Sequence, residues 1–237
     1  MKRPRWMQDN SRQQEDGVAL RFARRCASTK ERLKVLEAGC GAGRFLRELR
    51  RELPLAMLEG FDVNERCVET LRREEFDCRL ASVTNLPYDD AAFDLIHCSH
   101  VIEHLTPEAF AQAMNELGRV LRPGGNLIMR TPLQHPGFFE DYDHIKTYNL
   151  GAIMNFFGAG AMQMQSQSAH VFRLDDVWFR RSPRRLYHCR GLYLPGVRLA
   201  KLVNLALLLL FKGLGFPRST DGYVALFRKV KNTREGN

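Results

Sequence analysis

The sequence predicts an α/β fold, a mostly parallel sheet covered by helices on both faces. Two observations carry this. Short apolar runs alternate with stretches of helical pattern along most of the chain. The run at 35–45, Val-Leu-Glu-Ala-Gly-Cys-Gly-Ala-Gly-Arg-Phe, ends in an acid and then places glycine at every second position. That pattern is a buried strand turning tightly into a helix. Gly39, Gly41 and Gly43 have no Cβ, so the turn can take positive φ and a ligand can lie against bare backbone, with the helix N-terminus beyond it offering unpaired N–H groups.

Taken in order, residues 1–17 are charged and lack the apolar core of a signal peptide, and predict a short arm leading into a helix near 18–26. Strands are expected near 33–38, 57–62, 77–81, 92–98 and 125–131. Helices are expected near 43–53, 64–75 and 107–121, the last opened by Thr106 as N-cap with Pro107 at the first helical position. A further helix should span 148–157 and stop at Gly158, and a final strand should cover 222–228. The division expected is an N-terminal arm and helix (1–30), a core (31–171), an insertion (172–220), and a final strand with a polar tail (221–237).

With 237 residues and 44% apolar composition the chain can bury a core and form one domain plus an elaboration. Its six cysteines contain no C-x-x-C pair, which suggests neither a zinc site nor a disulfide framework and points to a reducing, cytoplasmic compartment. The net charge is +9, and Arg173, Arg180, Arg181, Arg184, Arg185, Arg190, Arg198 and Lys201 crowd the segment before the apolar run 202–211. That run is far short of the roughly 20 residues that span a bilayer. It is expected to be a lid, a homodimer surface, or a helix in the inner membrane interface beneath a basic collar across 173–211. The basic residues are not interleaved with the exposed aromatic motif of an RNA-recognition module, which argues against nucleic acid as a partner.

A dinucleotide fingerprint requires G-x-G-x-x-G, but its last glycine falls on Arg44 or Leu46 here. The pattern from Glu37 is instead E-x-G-x-G-x-G, which resembles motif I of the class I S-adenosylmethionine-dependent methyltransferases. The resemblance continues over roughly 33–160: a second run ending in Asp62, nineteen residues after Gly43; Leu86-Pro-Tyr88 followed by Phe93-Asp-Leu-Ile96; His100-Val-Ile-Glu-His-Leu105; and the Pro-Gly-Gly turn at 123–125 before another apolar run. It implies a Rossmann-like, seven-stranded, mostly parallel sheet with S-adenosylmethionine as cofactor. It implies that Glu37, Gly39, Cys40, Gly41 and Gly43 line the cofactor, that Asp62 accepts from both ribose hydroxyls, and that Val63 packs on the adenine. Ser82 stands where the family commonly carries an Asp for the adenine amino group; Val83 and Cys98 complete the implied set.

No Asn-Pro-Pro-Tyr or Asp-Pro-Pro-Tyr motif follows the fourth strand, as amino-group methyltransferases acting on adenine or glutamine would have. The segment carries His100, Glu103 and His104 instead, with His144 past the fifth strand. Histidine titrates near neutrality and can take a hydroxyl proton, so oxygen is the expected acceptor and His100, His104 and His144 the candidate catalytic residues. A rival reading makes His100, Glu103, His104 and His144 a divalent-metal site, because metal-using O-methyltransferases carry Glu-x-x-Glu-His at this place. A third makes them anchors of the loop. The expected reaction is methyl transfer to an oxygen of a small or lipid-linked acceptor of cell-surface glycan or quinone type. An RNA methyltransferase and a catalytically inactive partner subunit, the latter suggested by Ser82, are the alternatives.

Overall fold

The computed structural model describes residues 11–30, 32–135, 137–158, 167–183, 197–214 and 218–230. Residues 1–10 of the expected N-terminal arm, and Arg184, Arg185 and Arg190 of the expected basic collar, lie outside these. Seven strands, β1 (Lys34–Ala38), β2 (Met57–Asp62), β3 (Asp77–Leu80), β4 (Phe93–Ser99), β5 (Leu121–Pro132), β6 (Phe172–Pro183) and β7 (Arg218–Lys229), form one sheet in the order β3-β2-β1-β4-β5-β7-β6. β1 to β5 pair in parallel, and β7 runs antiparallel to both β5 and β6. The helices are α1 (Ser11–Ala27), α2 (Arg44–Glu52), α3 (Glu65–Arg73), α4 (Pro107–Val120), α5 (Leu150–Phe157) and α6 (Val197–Leu214).

Strand alternation divides the apolar side chains between two faces. Leu36, Ala38, Ile96, Cys98, Leu127, Met129, Tyr223, Ala225 and Phe227 pack with α4 and α5 residues such as Phe110, Met114 and Phe156. Val35, Leu95, Ile128, Val224 and Leu226 pack with Val18, Ala19, Phe22 and Ala23 of α1 and Phe45 and Leu49 of α2. α1 is therefore a covering layer of the core, and it begins earlier than the sequence predicts.

Local chemistry sets the helix ends. Thr106 Oγ1 accepts from Ala109 N at 3.3 Å, with Pro107 at the first helical position. Asn149 Oδ1 accepts from Ala152 N at 2.8 Å, which starts α5 at Leu150 rather than at Tyr148. The Lys229 ammonium donates to Gly118 O and Leu121 O at 2.7 and 2.8 Å, satisfying carbonyls at the C-terminal end of α4. The Pro-Gly-Gly turn is absorbed into β5 as an irregularity: Phe93 pairs with Leu121 and Leu95 with Asn126, leaving 122–125 looped out, with Gly124 at φ +80°.

The expected insertion at 172–220 is corrected. Residues Phe172–Pro183 are a strand of the sheet, paired along their length with β7, and β7 itself begins at Arg218. Among the described residues of that stretch, only α6 stands outside the sheet. The sequence hid β6 because it reads Phe-Arg-Leu-Asp-Asp-Val-Trp-Phe-Arg-Arg, a charged edge strand in which the acids and arginines pair across to neighbours. Arg173 Nε lies 3.0 Å from Asp175 Oδ1, and Arg180 is held by Glu15 and Asp221, so these two members of the expected collar are neutralised within the fold.

Candidate active site

All three glycines of the turn after β1 are left-handed, with φ of 68°, 49° and 74° at Gly39, Gly41 and Gly43. A Cβ at Gly39 would meet Val101 Cγ2 at 2.6 Å and one at Gly43 would meet Leu71 Cδ2 at 2.1 Å, so both are fixed by packing. A Cβ at Gly41 would meet nothing within 4 Å: there the backbone is open to a ligand. α2 starts from Gly43 with no side-chain cap, leaving first-turn N–H donors available. Across the turn, Asp62 Oδ2 accepts from Gly41 N at 2.7 Å and Oδ1 from Asn64 N at 2.8 Å. Each oxygen keeps a further acceptor site, in a carboxylate already oriented by backbone. Beside it Val63 is 74% exposed, an apolar surface with nothing packed on it. Bare backbone, free donors, an oriented carboxylate and an open apolar wall fit the amino-acid, ribose and base parts of S-adenosylmethionine.

Other members of the expected cofactor set are placed differently. Both Glu37 oxygens lie within reach of His97 Nδ1, at 3.0 and 2.8 Å, and Glu37 is buried, so its carboxylate serves a cross-strand pair. The side chains of Cys40, Val83 and Cys98 pack in the core, which leaves only their backbone for a cofactor. A hydrogen bond with Cys78 and burial push the Cys40 thiol far above the ordinary thiol range, and burial does the same for Cys98. Ser82 Oγ lies 2.8 Å from Thr84 Oγ1 and accepts from Thr84 N at 3.3 Å, so its hydroxyl shapes its own turn.

Past β4 the structure brings the expected histidines to the carboxyl end of the sheet, where the glycine turn also lies; Val101 touches Gly39. His100 has a left-handed backbone, φ +55°, an uncommon state for a side-chain-bearing residue. Its Nδ1 lies 2.9 Å from Oε1 of the fully buried Glu103, whose Oε2 accepts from Thr131 Oγ1 at 3.1 Å. With Nδ1–H donated to Glu103, Nε2 carries the lone pair; it has no hydrogen-bond partner and lies 4.0 Å from Glu15 Oε2. His144 Nδ1 lies 2.7 Å from Phe138 O and donates to it, which leaves its Nε2 as acceptor, 3.7 Å from Asp141 Oδ2. The His104 and His144 rings meet edge to face with centroids 4.8 Å apart. His104 Nδ1 lies 3.4 Å from Asp143 Oδ1, and a hydrogen bond with Asp141 holds the Asp143 carboxyl below the usual carboxylate range. Glu103, His104 and His144 offer ligand atoms within 4.8 Å of one another. His100 leaves the expected metal set, since Nδ1 is engaged by Glu103 and Nε2 is turned toward α1.

The sequence reading missed a cluster on the roof of this site. Glu15, at 0% exposure, is 3.0 Å from Arg130 and 3.1 Å from Arg180. Asp16 bridges Arg130, at 2.5 Å, and Arg44 at the start of α2. Removing one partner of such a cluster leaves an uncompensated buried charge, so it holds α1 in one position over the ends of β4, β5 and β6. The available signals were an acid pair in a basic N-terminal segment and an arginine inside the apolar run of β5.

A family model described as a methyltransferase domain matches residues 35–125. A probable S-adenosylmethionine-dependent methyltransferase of Mycolicibacterium smegmatis is 38% identical over 117 residues, covering 48% of this chain and 42% of that protein. A phthiotriol/phenolphthiotriol dimycocerosates methyltransferase of Mycobacterium ulcerans is 33% identical over 102 residues, covering 40% and 36%. The chain thus spans about two-fifths of the length of the curated relatives it matches. Among solved structures, the N-methyltransferase NodS of Bradyrhizobium japonicum in complex with S-adenosyl-L-homocysteine superposes with a TM-score of 0.59 at 16% identity, covering 96% of this chain and 91% of that one. That likeness is one of fold. Residues 35–125 thus match a methyltransferase domain, and the sheet order and glycine turn are similar to those of the class I S-adenosylmethionine-dependent methyltransferases, which supports S-adenosylmethionine as the cofactor.

Proposed function

We propose that the protein moves the methyl group of S-adenosylmethionine to an oxygen of a small or lipid-linked acceptor, with His100 as the base. The observation that carries this reading is the Thr131–Glu103–His100 relay beside the glycine turn, which fixes the tautomer of His100 and leaves Nε2 unpartnered. Bound S-adenosylmethionine supplies an electrophilic methyl on a sulfonium. With it bound, Nε2 would take the acceptor's hydroxyl proton as the oxygen displaces S-adenosylhomocysteine from the methyl, the methyl–sulfur bond breaking as the oxygen–carbon bond forms, and Glu103 would stabilise the imidazolium that results. α1 and its ion cluster exclude water from above, which strengthens both interactions. The mycobacterial relative whose name specifies a lipid substrate supports a lipid-linked acceptor.

A second reading is favoured by the Glu103, His104 and His144 grouping: a divalent cation held there would acidify the hydroxyl. Chelation separates the two, because a metal-dependent enzyme loses activity with EDTA and regains it with Mg²⁺ or Mn²⁺, whereas the His100 base is indifferent.

The cofactor half is tested without an acceptor. Asp62→Ala removes charge-assisted hydrogen bonds worth roughly 1.5–3 kcal/mol each, so calorimetry should show S-adenosylhomocysteine binding at least tenfold weaker. The acceptor half requires a screen of quinols, polyprenyl-linked sugars and RNA with methyl-labelled S-adenosylmethionine. Label on an oxygen supports the proposal; label found only on amines or RNA overturns it.

A further inference from the structure

α6 carries an apolar surface that the fold leaves uncovered. At 100° per residue, Leu202, Ala206, Leu209, Leu210, Gly213 and Leu214 fall in one arc of the helix. All six are exposed, the four leucines at 64%, 55%, 47% and 78% in chain order. The helix packs against β6, and Leu207, Leu208 and Phe211, on the rest of its circumference, are part-buried, as is Val203 near one edge of the arc. An exposed leucine arc of this kind marks a contact surface.

We infer that α6 lies in the headgroup interface of an anionic lipid surface, with its leucine arc inserted. Charge selects this occupant. α6 contains three basic residues, Arg198, Lys201 and Lys212, and no acid, on a chain of net charge +9. A symmetric pairing of two copies would set two basic, acid-free helices against each other, whereas an anionic headgroup layer attracts such a helix. A lid closing on the crevice would bury the leucines, which are exposed. No helix among the described residues is long and apolar enough to cross a membrane, which leaves α6 an in-plane orientation at such a surface.

The placement connects this surface to the chemistry. β6 is antiparallel to β7, which is antiparallel to β5, so β6 runs with the parallel strands and ends where they end. In chain order α6 falls between that end of β6, which lies at the same end of the sheet as the glycine turn and the histidines, and the start of β7, and it packs against β6. A helix seated on a lipid surface would present that end of the sheet to an acceptor carried in the layer. The inference deepens the lipid-linked reading, yet it is tested without any acceptor, so either can fail alone.

The full chain is to be sedimented with vesicles of phosphatidylcholine alone and of phosphatidylcholine and phosphatidylglycerol in equal parts. The expected result is cosedimentation with the anionic vesicles only, declining as salt is raised. The double variant Leu202→Glu, Leu209→Glu should bind them at least tenfold more weakly. It should keep wild-type melting temperature and S-adenosylhomocysteine affinity, since both positions are exposed and distant in sequence from the cofactor turn. If that variant loses melting temperature, Leu202→Gln with Leu209→Gln reports the same contrast without added charge. Absence of binding at low salt overturns the inference, as does binding that the variants leave unchanged. A concentration-dependent dimer that the variants dissociate, without vesicle binding, assigns the arc to a second copy and overturns it equally.

Discussion

β4 and its exit carry two histidine–carboxylate pairs three residues apart, and the same two functional groups are put to different uses. His97 sits within the strand at 1% exposure, directly across from Glu37 in the register of β1 and β4, with its ring stacked on Phe45 at 3.9 Å between centroids. His100 sits just past the strand, in a left-handed conformation, with its side chain 35% exposed and Glu103 supplied by the next turn. Both donate Nδ1–H to a carboxylate and both leave Nε2 unpartnered. Both Nε2 atoms are buried; that of His97 belongs to a ring wholly inside the core, and that of His100 to a part-exposed ring, 4.0 Å from Glu15 of α1. Burial and backbone placement, more than the identity of the pair, separate the core dyad from the one proposed as the base.

The largest expected effect breaks the buried dyad. His97→Ala strands the Glu37 carboxylate in the core and leaves a cavity beside Phe45, and should lower unfolding stability by about 3–5 kcal/mol in a denaturant titration. A loss below about 1 kcal/mol would mean that the pair does not hold β1 to β4, and the contrast with His100 would collapse.

The next effect sharpens the contrast from the other side. His100→Asn keeps a residue that tolerates positive φ and can still donate to Glu103, so stability should stay within about 1 kcal/mol of wild type. Turnover of the acceptor found by the screen should fall about a hundredfold or more, with S-adenosylhomocysteine affinity unchanged. Equal loss of stability and turnover would make His100 a second structural pair.

The smallest effect uses a second polar residue of β4, near the other end of the strand. Burial alone would raise the Asp94 carboxyl, but hydrogen bonds from Lys30, Lys34 N and Arg122 outweigh it and hold the group below the usual carboxylate range. A depressed folded pKa contributes stability above the unfolded value of about 3.9, and this is lost as pH falls through the folded value. Asp94→Asn should therefore cost roughly 1.5–3 kcal/mol at neutral pH. The difference from wild type should shrink below about pH 4, while the His97→Ala deficit, a matter of packing as well as charge, should persist in part.

The cofactor half of the molecule was legible because its determinants are local. An acid, three alternating glycines and a second acid nineteen residues on fix a strand–turn–helix and the start of the next loop, and each residue acts within its own turn. The acceptor half was legible only in outline. His100, Glu103, His104 and His144 could be named, but which of them share a proton or a ligand sphere depends on a few ångströms between β4, β5 and the loop after it.

The sequence by itself determined the α/β alternation, the glycine turn, the place of Asp62 and the helix caps at Thr106 and Gly158, since propensity, periodicity and turn chemistry operate over a few residues. Only the tertiary structure decided that Phe172–Pro183 is an edge strand, because its charges are satisfied by Asp221 and Glu15, 41 and 165 positions from Arg180. It alone turned the side chains of Glu37, Cys40 and Cys98 into the core, since strand pleat and register choose which face each side chain meets. It alone placed Glu15 and Asp16 over the reacting end of the sheet, because a buried charge settles where distant partners converge, and no local pattern records where they will be.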